Sequence, residues 1–166
     1  MKIKNCFWGL VVAGLITDLS GCVTVDNIFG EIDNPVSAVE LQAMQTREFD
    51  ATEDQAFAAV IATFQDYGYL INSADKSTGM VLAKTTSEAE ISHFTGITRV
   101  EYNKATAFIT TVDKDRVKIR VSIVKYVSAK SAYGGGGEKE AVRTKPEIYQ
   151  EMFAKIQQNI FLKKNL

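Results

Sequence analysis

Cysteine is scarce in this chain. Two of the 166 residues are cysteine, Cys6 and Cys22. Two cysteines close at most one disulfide, so the sequence lacks the disulfide framework that stabilises many small secreted domains. The fold must therefore depend on a hydrophobic core. The chain is long enough to build one, and 46% of its residues are hydrophobic.

An excess of charge of either sign is also lacking. Lys and Arg number 19 against 20 Asp and Glu, which gives a net charge of −1. Nucleic-acid-binding domains carry a basic surface, and proteins that dock on anionic membranes by charge carry basic clusters. The balance argues against both modes, and we expect no nucleic-acid partner.

Histidine occurs once, as His93, near Glu88 and Glu90. A metal site needs three or four converging ligands, and these three do not share one helical face well, so a solvated polar segment is favoured. A nucleophilic site needs a base beside an activated Ser or Cys, and no such pattern surrounds His93. Asp113 and Asp115 flank a polar turn, where Asp is common because of turn geometry. We expect no enzymatic activity, no metal and no cofactor.

The N-terminus has the pattern of a secretory leader. Lys2 and Lys4 form a positive segment, and residues 6–16 form a short apolar run. A transmembrane helix needs about 20 apolar residues, and this run stops before Asp18. We predict that residues 1–21 are a signal peptide that is removed.

The end of that leader, Leu19-Ser20-Gly21-Cys22, resembles the lipobox of bacterial lipoproteins. The resemblance implies cleavage after Gly21, diacylglycerol on the Cys22 thiol and acylation of the new N-terminus. One acyl chain holds a protein only marginally, whereas two or three make a stable anchor. Val23 follows the cysteine, where Asp tends to retain a lipoprotein in the inner membrane of enterobacteria. In a Gram-negative cell the resemblance therefore implies a lipid-anchored protein on the periplasmic face of the outer membrane.

Residues 22–44 are predicted to be the lipidated cysteine and a tether, because their hydrophobic periodicity is weak. Within this segment 36–44 is a candidate short helix, with Val39, Leu41 and Met44 resting on the domain. Residues 45–166 are predicted to form one globular domain.

The first half of that domain is predicted to contain three strands, at 46–50, 69–73 and 80–85, and one helix at 53–67. Thr52 and Gln55 form a capping box at the start of the helix, and Gly68 ends it. Its apolar stripe consists of Phe57, Val60, Ile61 and Phe64. A second capping box, Ser87 with Glu90, favours a short helix over 88–95, with a loop as the alternative.

The second half is predicted to contain two long strands, at 100–112 and 116–129, joined by the turn 113–115. Apolar and polar residues alternate from Val117 to Ile123, and continuing this alternation would turn Lys125 inward, so we predict a β-bulge at 123–125. The four glycines in 131–139 favour an irregular connection, since a phosphate-binding loop would also need Lys followed by Ser or Thr.

A final helix is predicted to begin near Pro146, because proline is tolerated in the first turn. Lys163 and Lys164 in its last turn complement the helix dipole. Its apolar stripe consists of Tyr149, Met152, Phe153, Ile156 and Ile160.

The predicted order is β-α-β-β-(α)-β-β-α. We expect an α+β fold, a two-layer sandwich in which an antiparallel sheet of about four to five strands carries two helices on one face. Five large side chains are expected to fill the space between the layers, namely Phe57, Phe64, Phe108, Tyr149 and Phe153.

Three short stretches carry a family resemblance: Gln45-Thr46-Arg47, the turn from Phe64 to Tyr69 followed by Gly79, and the tail from Pro146 to Gln150 with Phe161-Leu162. In these the chain is similar to a largely uncharacterised family of proteobacterial outer-membrane lipoproteins. The element order also resembles the helix-grip domains of the BamC type, accessory lipoproteins of outer-membrane protein assembly.

Ile91, Phe94 and Ile97 are apolar residues in an otherwise polar connection. Either they fold over an open end of the core, or they form an exposed patch that contacts a partner or lipid. We expect a membrane-anchored, non-catalytic interaction or scaffold module of the cell envelope, held by Cys22 and bound to an envelope protein. The alternative is a binding or carrier protein for an apolar small molecule or lipid, held between helices and sheet.

Overall fold

The computed structural model describes residues 33–165. The predicted signal peptide, the Leu19-Ser20-Gly21-Cys22 motif and the first ten residues after it, 23–32, lie outside the described residues. Within 33–165 the fold is α+β, with three helices and one antiparallel sheet of seven strands.

The helices are α1 (Ala38–Met44), α2 (Glu53–Asp66) and α3 (Pro146–Lys164). The strands are β1 (Thr46–Asp50), β2 (Tyr69–Asp75), β3 (Met80–Thr85), β4 (Glu88–Ser92), β5 (Ile97–Asp113), β6 (Arg116–Ser131) and β7 (Gly136–Val142). The sheet order is β1-β6-β5-β3-β2, with β4 beside β5 and β7 beside β6. The expected α+β class and antiparallel sheet are confirmed, whereas the expected strand number was too small.

The long β5–β6 hairpin runs through the whole sheet, which has two halves defined by the strands that pair with it. In the first half, β1 pairs with the start of β6 and β3 pairs with the middle of β5. In the second half, β7 pairs with the end of β6 and β4 pairs with the start of β5. Helices α2 and α3 pack together against the first half, where the core cluster lies. The second half therefore extends beyond the main helix-covered core.

Helix α2 begins as predicted, since Thr52 and Gln55 form both hydrogen bonds of the capping box. Its stripe is displaced from the predicted one, because two alanines and Thr63 lie on the buried face and Phe57 is only partly buried. Asn159 of α3 links the two helices by donating from Nδ2 to Thr63 Oγ1 (3.0 Å) and Asp66 Oδ2 (3.3 Å). This buried polar contact fixes how the helices face each other.

Helix α3 begins at Pro146, and all five residues of its predicted stripe are buried. The core between the helices and the first half of the sheet contains Phe49, Phe64, Tyr69 and Phe153. Ring pairs there lie 5.6–6.0 Å apart, the spacing of favourable aromatic contacts.

Phe108 does not belong to this core, contrary to expectation. Its side chain is 48% exposed on the sheet face opposite the helices. Alternation along β5 buries its neighbours Ala107 and Ile109 instead, which sets Phe108 on the outer face.

The short helix predicted over 88–95 is wrong, because residues 88–92 form β4. Each residue of β4 is paired with β5, from Glu88 opposite Glu101 to Ser92 opposite Ile97. The start of β5 extends past the end of β3, so its backbone groups need partners, and the turn at Gly96 brings β4 to them. Tertiary pairing here prevailed over a local capping signal.

The bulge predicted at 123–125 is also wrong. Pairing of β5 with β6 continues in register through this segment, and Lys125 shares a face with the buried residues Ile123 and Val127. The inward position of Lys125 is stabilised because its ammonium lies 3.3 Å from the carboxylate of Glu101 on the neighbouring strand. The register shift between these strands lies instead between Thr111 and Asp113.

The glycine-rich connection is shorter than predicted. Gly134 and Gly135 have positive φ and form the turn, whereas Gly136 and Gly137 already belong to β7. A Cβ on Gly136 would lie 2.5 Å from the carbonyl oxygen of Ala129, so the close approach of β7 to β6 requires glycine at this position.

Two glycines with positive φ provide a matched test of the fold. A Cβ on Gly68 (φ 74°) would meet nothing within 4 Å, whereas one on Gly79 (φ 68°) would overlap the carbonyl oxygen of Ile109. We expect Gly68→Ala to lower the free energy of unfolding by about 1–2 kcal/mol through backbone strain alone, and Gly79→Ala to lower it by clearly more. Urea unfolding of both variants checks this, and equal losses would contradict it.

Candidate functional site

A tether latch, formed by Asp33, Arg143 and Thr144, fixes where the N-terminal segment meets the domain. The Oδ2 atom of Asp33 accepts hydrogen bonds from Arg143 Nε (2.9 Å) and from the backbone N–H of Thr144 (2.8 Å). The Thr144 hydroxyl donates to the carbonyl oxygen of Asn34 (2.6 Å). The Asp33 side chain is only 4% exposed, so this part of the predicted tether is held against the domain.

The latch is held at the junction of β7 and α3. The N–H of Arg143 donates to the carbonyl oxygen of Ile123, and the Tyr149 hydroxyl donates to the carbonyl oxygen of Arg143 (2.7 Å). Tyr149 also accepts from the buried amide of Gln45 (3.4 Å). Sheet, helix and the residue preceding β1 therefore all position the donors that hold Asp33.

The pKa of Asp33 reflects these contacts. Burial by itself raises the pKa, but the hydrogen bond from Arg143, the N–H of Thr144 and the positive charge of Arg143 lower it more. The net pKa lies below the ordinary value, so the carboxylate is ionised at neutral pH. An ionised Asp33 is the form that Arg143 binds.

At the opposite end of β7, Ile91, Phe94 and Tyr133 form a hairpin-tip surface. Phe94 is 99% exposed, Tyr133 89% and Ile91 59%. The β4–β5 and β6–β7 turns lie side by side, because the N–H of Ala132 donates to the carbonyl oxygen of Gly96 (2.8 Å). The ring of Tyr133 lies over Gly96, where a Cβ would come within 3.2 Å of it.

The exposure of this surface excludes one of the two interpretations for Ile91 and Phe94, whereas contact with a partner or lipid stays a prediction. Ile91 and Phe94 do not fold over the core, while Ile97 is partly buried in β5. Tyr133 was missed from the sequence, because the glycines around it obscured the second turn. The signal that could have indicated its exposure is an aromatic residue directly before glycines, with no apolar neighbour in the sequence to pack on.

The sheet face opposite the helices carries a second exposed apolar group, which we call the helix-free face. It consists of the exposed residues Leu70 and Phe108 and the half-buried residues Met80 and Leu82. Leu70 is 56% exposed and Phe108 48%, and Met80 lies directly opposite Phe108 in the sheet. A surface of this kind is typical of a docking site for another molecule.

Beside that group lies a pair of stacked tyrosines, Tyr102 and Tyr126, with ring centroids 4.6 Å apart. The ammonium of Lys104 lies 5.7 and 5.5 Å from the two ring centroids and 2.8 Å from a carboxylate oxygen of Glu140. A hydrogen bond with Glu138 raises the pKa of Tyr126. The face thus combines aromatic, cationic and anionic groups within a fixed sheet register.

The polar residues considered from the sequence do not converge on one site. Glu88 and Glu90 line a cleft with Arg99 and Glu101 on the second half of the sheet, and His93 lies exposed in the β4–β5 turn. Residues 33–165 contain no group of three His, Cys, Asp or Glu that could hold a metal ion. Over the same range, no helix is both long and apolar enough to cross a membrane.

Replacing Asp33 by Asn should weaken the latch. We expect a loss of about 1–3 kcal/mol in the free energy of unfolding at pH 7, because Arg143 loses a buried charged acceptor. Since the folded pKa of Asp33 is lowered, its contribution is fully present above the ordinary value of 3.8 and disappears as pH falls through the folded pKa.

The measurement is the unfolding free energy of both proteins from pH 7 down to pH 2. Asp115→Asn, in an exposed turn, is the control and should change little. A difference between Asp33→Asn and the original protein that stays constant with pH would contradict the assignment.

Comparison with known proteins leaves the chain without an assigned family. No protein-family model matches it, and no curated protein matches it. The likeness to proteobacterial lipoproteins and to helix-grip domains therefore stays a prediction from the sequence. Its function has to be argued from its own residues.

Proposed function

We propose that this protein is a lipid-anchored lipoprotein of the periplasmic face of the outer membrane, whose domain is a non-catalytic protein-binding module. Leu19-Ser20-Gly21-Cys22 supports the anchor, with the acyl chains carried by Cys22. The tether latch supports a fixed attachment point for the segment that leads to it.

One observation carries the protein-binding part of the proposal, namely the exposure of Phe108 and Leu70 on the helix-free face. Large aromatic and aliphatic side chains that remain exposed on a sheet are suited to act as anchors in a protein interface. Phe108 lies on the central strand β5 and Leu70 on the edge strand β2. Lys104 with Glu140, and Lys118 with Glu48, supply charged groups around them. We assign this face to the envelope partner.

The packing favours this function over that of a carrier for an apolar molecule. A carrier of this fold would hold its ligand between the helices and the sheet. That region contains Phe64, Val121, Phe153 and Ile156, each with 0% exposure. Outside that region, the cleft beside Asp33 has a volume of about 10 Å³, room for about one water molecule. The larger cleft, of about 210 Å³, is lined mainly by the charged residues Glu88, Glu90, Arg99 and Glu101, which do not suit an apolar ligand.

Replacing Cys22 by Ser tests the anchor. We expect the variant to lose palmitate incorporation and to leave the membrane fraction, because the acceptor thiol is gone. Cys6→Ser is a matched control, since Cys6 lies in the predicted leader, and it should behave as the original protein. A Cys22→Ser protein that still incorporates palmitate and cofractionates with the membrane would contradict the lipoprotein assignment.

Site-specific photo-crosslinking tests the protein-binding face. A photoreactive phenylalanine derivative in place of Phe108 should give a discrete adduct with one envelope protein in intact cells. The same derivative in place of Phe161, which is 64% exposed on α3, should not. Equal adducts from both positions, or adducts with lipid alone, would remove the helix-free face as the partner site.

A further inference from the structure

We propose that the hairpin-tip surface inserts shallowly into the phospholipid surface of the membrane that holds Cys22. The domain would then contact the bilayer at two places, the acylated cysteine and the aromatic tips of two neighbouring turns. The inference rests on the proposed lipid anchor. It adds an orientation, with the β4–β5 and β6–β7 turns towards the lipid and the helix-free face accessible from the side.

The length of the N-terminal segment allows this arrangement. Asp33 is fixed beside Arg143 and Thr144, just past the end of β7, and the tip lies at the other end of that strand. At about 3.3 Å per residue, the distance along β7 to the tip is roughly 25 Å. Ten residues lie between Cys22 and Asp33, so eleven Cα–Cα steps join the two, and an extended chain of that length spans at most about 40 Å. The lipidated cysteine can therefore lie level with the tip.

The two ends of the β5–β6 hairpin differ in what they would expose to lipid. The tip turns, 93–96 and 132–135, contain no carboxylate, lysine or arginine, and they present Phe94 and Tyr133 together with the exposed His93. The opposite end is the β5–β6 turn, with Asp113, Lys114, Asp115 and Arg116 in sequence. Moving charged groups into the bilayer boundary is costly, whereas exposed apolar side chains gain by leaving water. Insertion of the tip is therefore favoured over insertion of the opposite end.

The shape of the tip also matches a lipid surface better than a protein partner. A stable protein interface uses about 20–30 residues on each side, whereas the tip offers three large side chains on two narrow turns. Tyrosine belongs to the aromatic residues that are enriched at the membrane–water boundary, where the ring meets lipid and the hydroxyl meets water. Phe94 supplies the more apolar contact beside it.

A single-tryptophan probe tests the inference in the complete lipoprotein. The sequence has one tryptophan, Trp8, inside the predicted leader, so the processed protein should give no tryptophan emission. Phe94→Trp places a probe at the tip. Val112→Trp, 44% exposed and beside the opposite turn, is the matched control. Each variant is reconstituted into phosphatidylcholine vesicles with brominated acyl chains, which quench tryptophan on contact.

We expect Phe94→Trp to lose most of its emission in brominated vesicles, relative to unbrominated ones, and Val112→Trp to keep its emission. Equal quenching of both probes, or quenching of neither in protein that remains on the vesicles, would overturn the orientation while leaving the anchor intact. In the reconstituted vesicles, emission from Phe94→Trp that is protected from aqueous iodide but not quenched by brominated lipid would show that protein covers the tip, and would also overturn it. Unsubstituted protein that retains Trp8 emission and does not associate with vesicles would instead overturn the lipid anchor.

Discussion

The antiparallel pairing of β5 with β6 is the constraint on which the rest of the structure depends. It runs from Ile97 opposite Ser131 to Asp113 opposite Arg116 and gives the largest element-to-element contact in the described residues. Because side chains alternate along both strands, this register assigns residues to the helix side or the helix-free side over the length of the sheet. The hairpin is longer than the layer formed by α2 and α3. Other strands must therefore complete its far end, and β4 and β7 do so.

That extension explains why charged residues occupy positions on the helix side of the sheet, where a two-layer sandwich alone would place apolar ones. In the helix-covered half, inward positions hold Val117, Ile119 and Val121, which are fully buried. Farther along, the same face holds Lys125 opposite Asn103 and Val127 opposite Glu101. The ion pairs of Glu101 with Arg99 (2.7 Å) and with Lys125 (3.3 Å) allow charged residues to occupy inward positions without a break in the register. Along β6 the alternation therefore continues without a break, while the inward side chains change from an apolar core to a polar cluster.

The proposed activities follow from three separated surfaces on this one sheet. The tether latch lies near the middle, at the end of β7, and holds Asp33 in its ionised form through Arg143 and backbone N–H groups. The hairpin-tip surface lies at one end, and the helix-free face lies across the strands. Since all three are attached to one hydrogen-bonded sheet, its register sets their relative positions. Anchoring by lipid would then orient the whole domain, and a partner bound by Phe108 would meet it at a defined height above the membrane.

The sequence by itself determined the elements whose signals are local. The capping box of Thr52 and Gln55, the glycine after α2, Pro146 at the start of α3 and its buried stripe all depend on residues within a few positions of one another. Long-range pairing decided the rest. The unpaired start of β5 turned 88–92 into a strand, Glu101 kept Lys125 in register, and alternation set by the neighbours of Phe108 moved it outside. In each case the deciding contact is made with another element: β5 for residues 88–92, Glu101 for Lys125, and the core under the helices for Ala107 and Ile109, the neighbours of Phe108. The energy of such a contact is absent from the pattern of the segment alone.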